Sequence, residues 1–220
     1  MRHFERELDE LRQSLLEMSG LVESAINGSV LSLTARDLTR SEEVLRNEAR
    51  INRMQIEIDD KAARLLVLEQ PVAKDLRLIM AAIKINNDLE RMGDEAVNIV
   101  ERAQLLMQEP LLCAPVDIPR MATLTETMVR KALDSFVKQQ PDLARSVLES
   151  DDAVDELQDV TYRELLQCME KDPRSIAQCV SLMFVAHSLE RIADHATNIA
   201  EDVLFLVQGI DVRHHAEAGA

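Results

Sequence analysis

The chain is predicted to be all-α, a tandem duplication of two antiparallel three-helix bundles, and three observations predict it. The stretch from Leu89 to Glu101, LERMGDEAVNIVE, recurs one hundred residues later from Leu189 to Glu201 as LERIADHATNIAE, with Leu, Glu, Arg, Asp, Ala, Asn, Ile and Glu at identical offsets. Self-similarity of this kind marks a repeated structural unit. Apolar residues recur at threes and fours over long runs, the period of one helical face. The composition leaves little material for strands and tight turns, with 2% aromatic residues, no Trp, 5 Gly and 6 Pro against 46% hydrophobic residues.

The first helix runs from His3 to about Leu33, where Phe4, Leu8, Leu11, Leu15, Met18, Val22, Ile26 and Val30 mark one face. A second run carries Val44, Ile51, Met54, Ile58, Ala62, Leu65 and Leu68 and stops at Gln70-Pro71, because the residue before a proline is pushed out of the α region. Pro71 is expected to open the third helix at its first position, where a missing N–H costs nothing. That helix keeps Ala82, Ile85, Leu89, Met92, Ala96, Ile99, Ala103 and Leu106 on a bundle seam and ends before Glu109-Pro110.

Three prolines between Glu109 and Pro119 make a restrained linker. The second half repeats the plan. A helix near Ile118 to Gln139 carries Leu124, Met128, Leu133 and Phe136, and after a break at Pro141 one helix carries Val147, Val154, Leu157, Leu165 and Met169. After Asp172-Pro173 the last helix has Leu182, Val185, Leu189, Ile192, Ala196, Ile199, Val203 and Leu206 on its seam. The resulting domains are 1–109 and 120–209, joined by a Pro-rich linker at 110–119 and followed by a mobile tail at 210–220 that holds His214 and His215.

A net charge of −15 argues against nucleic acid and against adsorption to anionic lipid. No apolar run approaches the roughly 18 residues that span a bilayer, and the N-terminal residues Arg2, Glu5, Arg6 and Glu7 are unlike a secretory signal. Cys113, Cys168 and Cys179 are odd in number without metal-like spacing, which reads as three unpaired thiols in a reducing cytoplasm.

With the seam fixed, Glu90, Asp94, Asn98 and Glu101 fall on the opposite face of the third helix, and Glu190, Asp194, Asn198 and Glu201 on that of the last. The preceding helix of each half adds a second pair at the same spacing, Asp151 and Asp155 in the second half and Glu48 and Asn52 in the first. Carboxylate and amide oxygens from two adjacent helices are hard ligands suited to Mg, Mn, Ca or iron. The candidate metal ligands are therefore Glu48, Asn52, Glu90 and Asp94, and Asp151, Asp155, Glu190 and Asp194. Repeated surface acids are equally what a repeated docking face presents, and a chain with 40 acids produces such spacings on any solvated helix. His187 and His195 stand where the first half has Asn87 and Glu95, so the duplication reads them as structural or exposed rather than as ligands. Arg91 and Arg191 read as braces beside the acids. Ferritin-like di-iron bundles point Glu-x-x-His motifs into the core, whereas Glu90 and Glu190 are followed at that position by Gly93 and Ala193. A metal-dependent carboxylate enzyme is accordingly the alternative to a protein without chemistry of its own.

The two LER-x-x-D windows, the segment QPVAKDLR from Gln70 to Arg77 and the two-repeat layout together resemble the PhoU family. The resemblance implies a cytoplasmic, often dimeric protein of two three-helix bundles, peripheral at the inner membrane through protein partners. Those partners would be the phosphate ABC transporter and a sensor histidine kinase, with the response repressed when phosphate is plentiful. It also implies metal ions on the Glu/Asp-x-x-x-Asp motifs, carried over to Glu48, Glu90, Asp94, Asp151, Asp155, Glu190 and Asp194. Asn52 departs from the pattern, and the loss of one charge predicts the weaker of two sites in the first half.

Overall fold

The computed structural model describes residues 2–108, 110 and 117–209. Among these, the elements are α1 (Arg2–Ala35), α2 (Leu38–Glu69), α3 (Ala73–Leu106), α4 (Ile118–Lys138), α5 (Pro141–Leu148), α6 (Asp151–Lys171), a 3₁₀ turn (Pro173–Ser175) and α7 (Ile176–Gln208), with no strand. Helices α1, α2 and α3 pack into one three-helix bundle. Helix α4, the broken pair α5 and α6, and α7 form the second. The whole of the expected tail at 210–220 and most of the Glu109–Pro119 linker lie outside the described residues, and α4 already begins at Ile118.

Each seam residue expected on α3 is buried, from Ala82 to Leu106, and so is each on α7 from Leu182 to Leu206. Fully burying a Leu, Ile or Met side chain is worth about 1.5–3 kcal/mol, so these two rows anchor their bundles. The buried residues of both bundles form one continuous apolar cluster. The reason is that α3 and α7 lie antiparallel against each other along most of their length, the most extensive helix pairing in the chain.

Three local differences from the expectations have physical causes. Pro71 does not open α3: Gln70 takes a left-handed conformation (φ 47°), and Val72, extended, caps a helix that begins at Ala73. The single middle helix expected in the second half is two helices. Ser150 donates its hydroxyl to the Ser146 carbonyl at 2.7 Å, and the Glu149 and Ser150 amides turn back to Arg145 and Val147. Serine competes in this way with helix continuation, and Asp151 and Asp152 then suit the positive end of a fresh helix. Cysteine is the third: Cys168 is disulfide-bonded, which overturns the reading of three unpaired thiols and with it the support for a reducing compartment. Cys179 is free and buried, and Cys113 lies outside the described residues.

The repeats also exchange volume between layers. A Cβ on Gly93 would stand 3.2 Å from Ile51 Cδ1, so the missing methyl on α3 makes room for the longer side chain on α2. The second repeat carries Ala193 and Val154 at these places, both buried. Ile51→Val alone is predicted to lower stability by about 1 kcal/mol. Gly93→Ala in that background is predicted to restore it, through helix propensity of about 1 kcal/mol and the refilled space. Urea denaturation of the single and double variants checks this, and a further loss in the double variant would contradict it.

Candidate functional site

The eight expected residues lie where the helices leave the bundle cores. Glu48 and Asn52 come from α2 and meet Glu90 and Asp94 of α3. Asp151 and Asp155 come from α6 and meet Glu190 and Asp194 of α7. Asp94, Asp155 and Asp194 are exposed and the other five are half-buried.

Electrostatics shows that each group behaves as a cluster. Partial burial, then Asp155, then Asp194, Asp152 and Glu190 push the Asp151 carboxyl up to about 6. Burial first, then neighbouring acids including Asp194, raises Asp155. Glu190 is raised by burial and then Asp194, against the lowering effects of His187 and of the Gln158 amide. In the first repeat burial and then Asp94 raise Glu90, while burial and then Glu48 raise Asp94. Like charges four residues apart on a helix and across a helix pair destabilise one another, and here two helices contribute to each group.

The first cluster has a different internal arrangement. The Asn52 amide nitrogen donates to Glu48 Oε1, leaving Asn52 Oδ1 buried without a hydrogen-bond partner. A neutral amide thus takes the place of the fourth acid and ties up one neighbour. Among the described residues, no three His, Cys, Asp or Glu side chains are arranged as a ready-made metal cage. The acids share a surface and a field. That donor set, oxygen-only and electrostatically strained, fits a hard cation. The orphaned Asn52 oxygen fits one as well.

The polar face expected on α3 and α7 is in fact divided. Glu90, Asp94, Glu190 and Asp194 turn toward α2 and α6, but Asn98 and Asn198 belong to the seam between α3 and α7. Asn198 donates to Asp88 at 3.4 Å and Asn98 to Glu95 at 3.0 Å. The same seam holds an ion pair of Lys84 with Asp202 at 2.6 Å and one of Arg191 with Glu95 at 3.0 Å. Arg191 therefore braces Glu95 across the seam and not the motif acids. His195, 4% exposed, places Nδ1 2.9 Å from Asp88 Oδ1. It is structural, and exposed His187 stands 3.3 Å from Glu190.

Lys84, Asp88, Glu95 and Asp202 were not singled out by sequence reasoning, although a signal for them exists. Their counterparts one hundred residues away are Phe184, Ser188, His195 and Arg102. Arg102 lies over the Phe184 ring at 4.5 Å, so the Lys84–Asp202 ion pair is answered at the symmetric position by a cation–π contact. Positions at which the halves differ, spaced by fours and sevens, mark the face on which the halves meet.

A family model described as the PhoU domain matches residues 15–103 and, a second time, residues 118–203. The chain belongs to the PhoU family. Relatives include the phosphate-specific transport system accessory protein PhoU homolog of Pseudomonas putida, 42% identical over 97% of this chain and 84% of its own length. That of Aquifex aeolicus is also 42% identical, over 95% of each chain. The crystal structure of PhoU from Pseudomonas aeruginosa superposes with a TM-score of 0.91 at 39% identity, covering 94% of this chain and 100% of that one. The phosphate transport system regulatory protein PhoU from Streptococcus pneumoniae superposes with a TM-score of 0.88 at 30% identity, covering 95% and 99%. Both PhoU repeats matched here contain one acidic cluster. The relatives are named for an accessory role, not for a reaction.

The pH response of this PhoU-family chain follows from the raised carboxyl of Asp151. A carboxyl that holds its proton more tightly folded than unfolded contributes stability that is complete below the ordinary carboxylate range and is lost as pH rises through about 6. Asp151→Asn is therefore predicted to raise Tm at about pH 8 in chelator and to lose that advantage near pH 4, where the wild-type carboxyl is protonated. Thermal denaturation at the two pH values reads this directly. A variant less stable than wild type at the higher pH would contradict it.

Proposed function

We propose that this chain regulates phosphate uptake and phosphate-responsive signalling as a helical adaptor between the phosphate ABC transporter and a sensor histidine kinase. It would restrain the response when phosphate is plentiful. The observation that carries this reading is the pairing of full-length similarity to phosphate transport accessory proteins with two acidic clusters, one in each repeat. No helix among the described residues is long and apolar enough to cross a membrane. The proposal further places the chain in the cytoplasm, as a homodimer, reaching the inner membrane face through its protein partners.

The clusters supply the metal-dependent part of the proposal. Asp151, Asp155, Glu190 and Asp194 would hold a divalent or trivalent cation such as Fe, Mn, Mg or Ca. Glu48, Asn52, Glu90 and Asp94 would hold a second more weakly. A bound cation supplies positive charge that offsets the mutual repulsion of these acids and makes each cluster a switchable surface for a partner. Because protons compete for the same carboxylates, retention falls as pH drops through the raised range of Asp151, near 6.

Glu190→Ala with Asp194→Ala is predicted to remove metal from the second cluster while leaving the helical circular dichroism signal intact. Elemental analysis of purified wild-type and variant protein checks this, and unchanged metal content would overturn the site assignment. The adaptor role is tested separately by incubating the immobilised chain with membranes from cells grown at high and low phosphate and probing for the transporter ATPase subunit and the kinase. Phosphate-dependent retention of both is expected, and retention of neither would overturn it.

A further inference from the structure

The two repeats close differently. In the first, α1 and α2 pack along most of their length, and Lys61 Nζ of α2 donates to Ser14 Oγ of α1 at 2.7 Å. In the second repeat α4 packs on α5 but scarcely touches α6, and a groove of about 740 Å³ runs between α4 and α6. The register that places Ile118 over Leu15, where the two family matches begin, also places Asp151 over Glu48 and shows what differs along this face. The Ser14–Lys61 pair becomes Asp117 and Glu164, two acids in place of a hydrogen bond.

The replacements also change what the groove offers. Its floor is Leu124, Leu157 and the buried Thr161. Val160 and Ala153 stand at its lips, where the first repeat carries Glu57 and Arg50. Outward positions have thus become apolar, while charge remains around them. Arg120 answers Asp117 at 3.9 Å, but Glu156 and Glu164 have no ion-pair partner among the described residues. Glu156 stands where the first repeat has Arg53.

We infer that the groove between α4 and α6 is a docking site for a basic amphipathic helix of a protein partner. A groove walled by two helices accepts a third through its apolar face. Unpaired acids at the rim select Lys or Arg flanking that face, through complementarity that acts on specificity and association rate. A second copy presenting this same face is disfavoured as occupant, because Glu156 and Glu164 of each copy would then oppose acids of the other, whereas a homodimer formed through another face leaves the groove open. The groove uses the α4 side of α6, whereas Asp151 and Asp155 use the α7 side, so docking is independent of the acidic cluster and of any metal there.

The test is fluorescence anisotropy of the full chain in chelator with a labelled helical peptide of about 18 residues, Leu on one face and Lys beside it. A twin peptide carries Glu in place of Lys. Saturable one-to-one binding of the Lys peptide and none of the Glu twin is expected. Glu156→Lys with Glu164→Lys is predicted to weaken binding about tenfold or more. Asp117→Ser with Glu164→Lys, which installs the pair of the closed repeat, and Val160→Glu, which restores the first repeat's charge, are predicted to weaken it comparably. Circular dichroism verifies folding, and any one of the three folded variants suffices. Glu42→Lys with Glu57→Lys on α2 controls for general attraction to an acidic protein and should leave binding within about twofold. Absence of saturable binding, no effect of the groove variants, or an equal effect of the α2 control would overturn the inference. The measurement contains neither metal nor membrane, so its failure leaves the transporter and kinase experiments standing on their own.

Discussion

Everything else in this structure depends on the antiparallel packing of α3 against α7. Each helix is the last of its repeat and closes its own bundle with one apolar row. Each also presents a second face to the other, with Ala81 and Asp88 buried on one side and Ser181, Ser188 and His195 on the other. The contact joins the two three-helix units into one continuous core. Its polar pairs cost desolvation and are worth having chiefly for register: Lys84 with Asp202, Asp88 with His195 and Glu95 with Arg191 can all form in only one alignment of the two helices.

Duplication alone would make this interface two-fold symmetric, with each contact between one residue and the copy of another repeated on the far side of the axis. The halves have diverged at these positions, so that Lys84 meets Asp202 in an ion pair while their counterparts Phe184 and Arg102 stack. Identity was retained elsewhere. Glu90 and Asp94 match Glu190 and Asp194 even though their acids repel, and this retained repulsion is the observation behind the proposal that the clusters are functional. Ser14 and Lys61 against Asp117 and Glu164 are divergences of a third kind, on a face that one bundle keeps shut and the other leaves open.

The repeat, the helical period and the two apolar seams were legible in the sequence because burial imposes a period that survives without knowledge of tertiary contacts. The clusters were legible for the same reason, since fixing the seam fixes what points away from it. The division of the polar face was not, because Asn98 and Asn198 share the four-residue spacing of the acids and only the presence of a neighbouring helix separates them. Asp88 and Glu95 were hidden more deeply, as a buried acid is recognisable only from its partner on the other repeat. The turn at Glu149 and Ser150 escaped notice because no Gly or Pro marks it, and the chain tightens there through the Ser150 N–H donating to the Val147 carbonyl. The disulfide of Cys168 could not be read from an odd cysteine count, which is compatible with one bond and one free thiol.

Helices α3 and α7 form the shared spine of both bundles, and native-state hydrogen exchange in increasing urea tests that most directly. Amides of residues 85–103 and 185–203 should exchange last and merge into a single opening with the global unfolding free energy. If one of these stretches opens at markedly lower denaturant while the other stays protected, the bundles fold independently and the shared spine is contradicted.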